Sequence, residues 1–526
     1  IDLDDANNNV GTFSADNDAA GGAISFTDAN AVNIGPVTSN NGAITASNVT
    51  GGMTVTGAVN ANGNTVGLTA AGNLTLNAGV SGSTITLSAG VDISQNASGA
   101  ITGTTLSIAD ANDVMLAAAL NDVTNFNSMT RGSVSYCDIN DLTIDATGIT
   151  TDTDDAIDGI NDNGDVTIQA LGNLNVVGAI NATGMVALDG NDGDIALIGG
   201  TNVVLTAAIN TGDGDILISD SGLAGFVVNQ TLTTTGTVRL LTNGPLTQTA
   251  IITAGSLGAR ILATAADNSD INLSLANEVG TFAAENLADG GQVEFLSNQD
   301  LIIGNVTAGT GKAAVFTAAN GVSTTAFGGQ VSNLTDADDR GDILIETRGS
   351  LTLAVDGAVD ATTGIAGQVN AISAAGGLSD ARLIADGAVI QDTDGLIVAD
   401  ELGVRLQDIT EVVSNENISL GHANTVNEFA ARNQSIGGEV TFQSINNLMI
   451  GEVTDQAATN ANIPFATTTG VFTTSTNTLM DATETSNDVL IQAGGFLSLD
   501  EAIDTNNNRA NDTDTAGLDA DVRLIA

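Results

Sequence analysis

The sequence predicts an all-β solenoid, a single winding chain that stacks short strands layer upon layer, and three observations predict it. One apolar pattern recurs four times, three further motifs recur in step with it, and the composition suits strands and turns rather than helices.

The recurring pattern is an aliphatic residue, a second aliphatic two positions later, Gly at +6, Leu at +8 and an aliphatic at +10. Its copies begin at Val66 (Leu68, Gly72, Leu74, Leu76), Val166 (Ile168, Gly172, Leu174, Val176), Ile343 (Ile345, Gly349, Leu351, Leu353) and Val489 (Ile491, Gly495, Leu497, Leu499). Alternation with period 2, broken by glycine, reads as a short strand, a tight turn and a second short strand. Recurrence of that unit along the chain is the signature of stacked repeats, so function belongs to a long surface rather than to one pocket.

The companion motifs set the size of the larger repeat. An opening V-x-x-F occurs at Val10/Phe13, Val123/Phe126, Val279/Phe282 and Val426/Phe429. An aromatic follows at Phe26, Tyr136, Phe295 and Phe442, each with an isoleucine eight residues on, at Ile34, Ile144, Ile303 and Ile450. A closing apolar-x-Gln element lies at Gln95, Gln248 and Gln391. The chain is therefore expected to form one continuous solenoid segment over 1–526, with supra-repeats at 1–113, 114–269, 270–416 and 417–526, the last incomplete. Val522-Arg-Leu-Ile-Ala matches Val238-Arg-Leu-Leu-Thr and Ala381-Arg-Leu-Ile-Ala, which precede Gln motifs, so both ends are expected to fall inside the pattern of something longer.

Composition bounds the class. Of 526 residues 42% are hydrophobic and 14% charged, with only 3 Pro, so the 62 glycines do not signal disorder. Trp is absent and Tyr136 is the only tyrosine. Small and β-branched residues suit a narrow strand interior, and Asn, Asp and Gly suit its turns. A layer of roughly 20 residues costs on the order of 20 to 40 kcal/mol of backbone entropy. Its few inward aliphatics return about 1.5 to 3 kcal/mol each, so layers must stack to stand. Roughly 25 layers at about 4.8 Å each make an elongated rod on the order of 120 Å long, with open ends that need caps or continuation.

The succession Asn7-Asn-Asn-Val-Gly-Thr-Phe13, Gly21-Gly-Ala-Ile-Ser-Phe26, Gly72-Asn-Leu-Thr-Leu76, and Ile93-Ser-Gln95 with Ala100-Ile-Thr-Gly103 resembles the repeats of giant filamentous-haemagglutinin-like surface proteins of bacteria. The likeness covers essentially the whole chain. It implies a right-handed parallel β-helix, exported to the cell surface or beyond, of the kind that serves as a shaft for adhesion, biofilm and contact-dependent delivery. The N-terminal secretion region of that family is not in this sequence.

Charge narrows the partners. With 62 acidic against 11 basic residues the net charge is −51, and Lys312 is the sole lysine. Such a surface repels nucleic acid and anionic membrane and attracts divalent or cationic partners. Acidic turns cluster at Asp152, Asp154, Asp155, Asp158, Asp162 and Asp165, at Asp336, Asp338, Asp339 and Asp342, and at Asp512, Asp514, Asp519 and Asp521. Hard cations want six to eight oxygens, which alternating Asp side chains and carbonyls can supply. These runs lack EF-hand spacing and the Gly-Gly-x-Gly-x-Asp nonapeptide. Two readings stay open, solvated polar turns or bound Ca²⁺, with the first cluster the best candidate and no cofactor otherwise required.

Single residues carry less. His422 stands where other copies have Ala6, Ala119 and Leu275, and Cys137 where they have Thr27, Leu296 and Gln443. Neither has a second histidine or cysteine to complete a metal or catalytic site. Tyr136 takes a phenylalanine position and is expected in the core. Arg340-Gly-Asp342 spells an integrin-ligand tripeptide, but Gly-Asp also precedes strands at Gly164-Asp165 and Gly214-Asp215 as ordinary repeat chemistry. Asn-x-Ser/Thr triplets such as Asn48-Val-Thr50 are what an Asn- and Thr-rich chain produces.

Three functions compete. A structural shaft, self-associating end to end or side by side in an extracellular filament, needs a repeated core and a uniform acidic skin. An adhesin would bind glycans or receptors through inserted segments, 146–165 and 454–485 above all. A polysaccharide-cleaving enzyme would need two carboxylates across one bond, Asp162 and Asp165 for example, with aromatic and basic helpers that this composition scarcely offers. The shaft, without catalysis, is the expected function. No signal peptide is visible at Ile1-Asp-Leu-Asp-Asp, and no apolar run reaches the roughly 18 residues that span a bilayer.

Overall fold

Aliphatic residues at every second position, with Thr, Ser and Asn between them, favour extended backbone with one apolar side. The computed structural model describes residues 1–151, 164–182, 193–262, 269–309, 315–325, 341–355, 370–375, 379–407, 416–455, 465–474, 487–505 and 521–526. The described residues are all-β, with no α-helix among them. Two compact units divide the chain, Ile1–Arg239 with Thr310–Val315, and Leu240–Gly309 with Phe316–Ala526.

In the first unit strands pair in parallel and in register, each about one layer after the last, an arrangement compatible with a β-solenoid. One column runs Ile24, Ile44, Val66, Ile85, Leu106, Phe126, Ile144, Val176, Leu205, every neighbour a register partner of the next. A second runs Val32, Met53, Leu74, Ile93, Val114, Val134, Val166, Ile195, Ile216. Stacking like on like buries these side chains almost completely: all but Val32 at 3% are 1% exposed or less. Each fully buried aliphatic contributes about 1.5 to 3 kcal/mol.

The two columns exchange roles. Val66 opens its motif in the first column and Leu74 closes it in the second, whereas Val166 opens in the second and Leu174 closes in the first. The exchange happens along one long strand, Val114–Thr130, which begins in the second column at Val114 and continues in the first at Phe126.

The second unit repeats the device. One column runs Ile271, Val293, Ile343, Ala381, Leu402, Phe429, and another Leu301, Leu351, Val389, Ile418, Val440, Val489, Val522. Ile343 therefore opens its motif in the first of these and Val489 in the other, with Ile418–Ile436 as the exchange strand. Ile271–Asp289 is a third strand of that kind. Val66, Val166, Ile343 and Val489 are each 1% exposed or less. Two short antiparallel pairs, Asn305–Val306 with Ala319–Asn320 and Glu452–Val453 with Thr468–Thr469, lie outside the parallel scheme.

The motif glycines are demanded by closeness rather than by backbone angle. A Cβ on Gly172 would meet Asn140 C and Asp141 N at 2.9 Å, and one on Gly349 would meet Asp300 N at 2.5 Å, the turn of the adjacent layer in each case.

Candidate functional site

Most of the first acidic cluster, Asp152, Asp154, Asp155, Asp158 and Asp162, lies outside the described residues. So do Asp336, Asp338 and Asp339 of the second and Asp512, Asp514 and Asp519 of the third. The last aspartate of each cluster is described, and each sits at the turn just before a strand. There the carboxylates form a ladder. Asp92 Oδ1 accepts from Asp113 N (3.3 Å), Asp113 Oδ1 from Ser133 N (2.8 Å), Asp165 Oδ1 from Asp194 N (2.9 Å) and Asp194 Oδ1 from Asp215 N (2.7 Å). Each carboxylate thus satisfies an amide of the next layer. Burial, set against that hydrogen bond, raises the Asp113 and Asp194 carboxyls above their ordinary value. In the second unit Asp342 Oδ1 accepts from Asp380 N (3.0 Å), and in the third cluster Asp521 N donates to Asp488 Oδ1 (2.8 Å). Among the described residues no three His, Cys, Asp or Glu side chains group as metal ligands.

Asp342 also removes the integrin-type tripeptide from consideration as a surface motif. Its side chain is 1% exposed and pairs at 2.6 Å with Arg382 Nη1, itself fully buried. Arg382 Nη2 reaches Asp380 (3.0 Å) and its Nε donates to Thr454 O (3.1 Å). Arg239 makes the corresponding pair with Asp215.

Each exchange strand carries an amide clasp. Asn121 Oδ1 accepts from Gln95 Nε2 (2.6 Å) and Ile101 N (3.0 Å), while its Nδ2 donates to Leu116 O (3.0 Å) and Cys137 O (3.1 Å). Asn277 repeats this with Gln248, Ile252, Leu273 and Leu296. Asn424 repeats it with Gln391, Ile397, Leu420 and Gln443. Asn8 makes the donor half, to Leu3 O (2.9 Å) and Thr27 O (3.0 Å). Beside each clasp two rings stack: Phe13 on Phe26, Phe126 on Tyr136, Phe282 on Phe295 and Phe429 on Phe442, with centroids 3.9 to 4.5 Å apart. Tyr136 is 1% exposed and donates to Asp138 Oδ2 (2.9 Å), which also caps Val123 N. Burial is the main cause that raises both the Asp138 carboxyl and the Tyr136 phenol above their usual values. His422 supplies a backbone amide to Gln391 Oε1 (3.1 Å), and Cys137 is buried.

Of the inserted segment 454–485 the structure describes 454–455 and 465–474. Phe465 is 2% exposed and packs with Val453 against Leu296, Leu344, Ile384 and Ala430. A Cβ on Gly403 would clash with Cζ of its ring. Phe316 occupies the matching place over Gly258. Near this apolar patch burial pushes Glu401 up to about 8, with Asp380 and Glu428 adding to the effect, and pushes Glu346 up to about 7. A shallow groove beside the first-unit exchange strand is lined by Asp122, Thr124, Ile139, Asn140 and Leu171. Asp141 joins Asp122 as a second carboxylate in that lining.

No protein family, curated protein or solved structure matches this chain. The reading of function therefore rests on its own residues.

Proposed function

We propose that this chain is the shaft of an extracellular, cell-surface filament, without a catalytic step, and that its columns close into a right-handed parallel β-helix like that of the filamentous-haemagglutinin-like proteins its repeats resemble. The observation that supports it best is the recurrence of one exchange strand with one clasp and one ring pair, inside columns of in-register aliphatics. A chain built this way spends its recurring chemistry on continuing itself from layer to layer. The anionic skin keeps neighbouring shafts apart at low salt and lets salt or divalent cations bring them together.

Electron microscopy of the native chain, with X-ray scattering from aligned samples, tests the reading. Slender rods with a spacing of about 4.8 Å along their length are expected. Rounded particles, or a spacing across rather than along the particle, would refute it. Titrating NaCl or CaCl₂ should convert separated rods into lateral bundles.

A further inference from the structure

At the second-unit exchange strands two matching places differ in the register partner of their arginine. Arg260 and Glu285 are register partners on adjacent strands and form an ion pair. Arg260 Nη1 donates to Thr317 O (3.3 Å), and its guanidinium lies 5.9 Å from the Phe316 ring centroid. One supra-repeat on, Arg405 is held in the same way, with Nη1 on Ala466 O (3.2 Å) and Thr468 Oγ1 (3.2 Å) and its guanidinium 6.0 Å from the Phe465 centroid. Its register partner, however, is Arg432.

Two guanidinium groups thus face the same way on strands about 4.8 Å apart. No carboxylate among the described residues forms an ion pair with either. Arg405 Nε and Arg432 Nε are buried without a hydrogen-bond partner, as Arg260 Nε is at the matching place, so it is the register partner and not the Nε that sets the two places apart. Burial first, and Arg432 second, hold the Arg405 guanidinium below its ordinary value. In a chain of net charge −51, two arginines paired in register with no ion pair to a described carboxylate are the exception. Two planar forks side by side match the oxygens of one oxyanion.

We propose that Arg405 and Arg432 form a binding site for a carboxylate group, which takes the place that the Glu285 side chain fills at the matching position. Arg405 is pre-positioned by Phe465, Ala466 and Thr468, and Arg432 supplies the second fork. The group can come from an amino-acid-like acid or from an acidic sugar, and the site reads the carboxylate in both.

The test is calorimetric titration of the full chain at fixed ionic strength with glutarate and, separately, with a galacturonate trimer. Saturable binding of either, tighter than about 10 mM, is expected. Preference for glutarate assigns the amino-acid-like source and preference for the trimer the sugar. Glu at position 432 recreates the Arg260–Glu285 pair, so Arg432→Glu should bind at least about tenfold more weakly while melting no lower than the parent. Arg405→Gln gives a second measurement and should lose binding by a similar factor. Absence of saturation in the parent, or unchanged binding in both variants, would overturn the proposal.

Discussion

Replacing Asn424 by Ala should be among the most damaging single changes in the second unit. Asn424 is fully buried, and its carboxamide makes five hydrogen bonds: from Gln391 Nε2 (2.6 Å) and Ile397 N (2.9 Å), and to Leu420 O (3.1 Å), Gln443 O (3.1 Å) and Gln391 Oε1 (3.3 Å). Alanine leaves the Ile397 amide, two carbonyls and the Gln391 side chain without this partner. A buried polar group left unsatisfied costs about 1 to 3 kcal/mol, and partial relaxation keeps the sum to about 4 kcal/mol, in the range reserved for broken buried networks. Stacked repeats need not unfold in one step, so the assay is native-state amide exchange together with a melting curve. Protection of the Ile397 amide should fall by a factor on the order of 100 or more, while that of Ile252, on the intact Asn277 clasp, holds. Asn8→Ala, which loses only the two donor bonds at a half-buried place, should cost no more than about 1 kcal/mol. A cost below about 1 kcal/mol for Asn424→Ala, with Ile397 still protected, would refute the argument that the clasp holds the exchange strand.

Three further outcomes follow from the same physics. Arg382→Ala should destabilise by about 3 to 5 kcal/mol, because it strands the buried Asp342 carboxylate, and Arg382→Lys should recover only part of that in a urea titration. Gly403→Ala should cost about 1 to 3 kcal/mol by driving a methyl into the Phe465 ring, and pairing it with Phe465→Leu should cost less than the sum of the two. Glu401 holds its proton up to about 8 when folded against 4.5 when unfolded, so the folded state binds more protons between those values. Stability should therefore rise as pH falls from about 8 towards 4.5 and gain nothing further from this group below it. After screening at this partly exposed site the gain is about 1 kcal/mol, and Glu401→Gln should remove it from the pH dependence of the melting temperature.

The parallel, stacked-strand class was legible because Val66, Val166, Ile343 and Val489 repeat with their glycines, and all four are buried in register. The ring pairs were half legible: the opening Phe and the following aromatic stood out as separate motifs, yet nothing in linear spacing says that they stack. The clasp was also present as text. Asn8, Asn121, Asn277 and Asn424 each lie two residues before the opening valine, and Gln95, Gln248 and Gln391 form the closing motif. In an Asn-rich chain one more asparagine carries no weight until its partner, 26 to 33 residues away, is seen across the layer. The role of the final aspartates was only partly legible. Their density marks acidic turns, but it does not show that Asp165 and Asp342 each give one oxygen to an amide of the next layer, or that Asp342 gives its other to Arg382. The exchange of columns was invisible, since the motif reads the same in either column.

That indifference gives the gene an arithmetic of parity. Inserting one supra-repeat would hand every later motif to the opposite column, whereas inserting two would return it to its own.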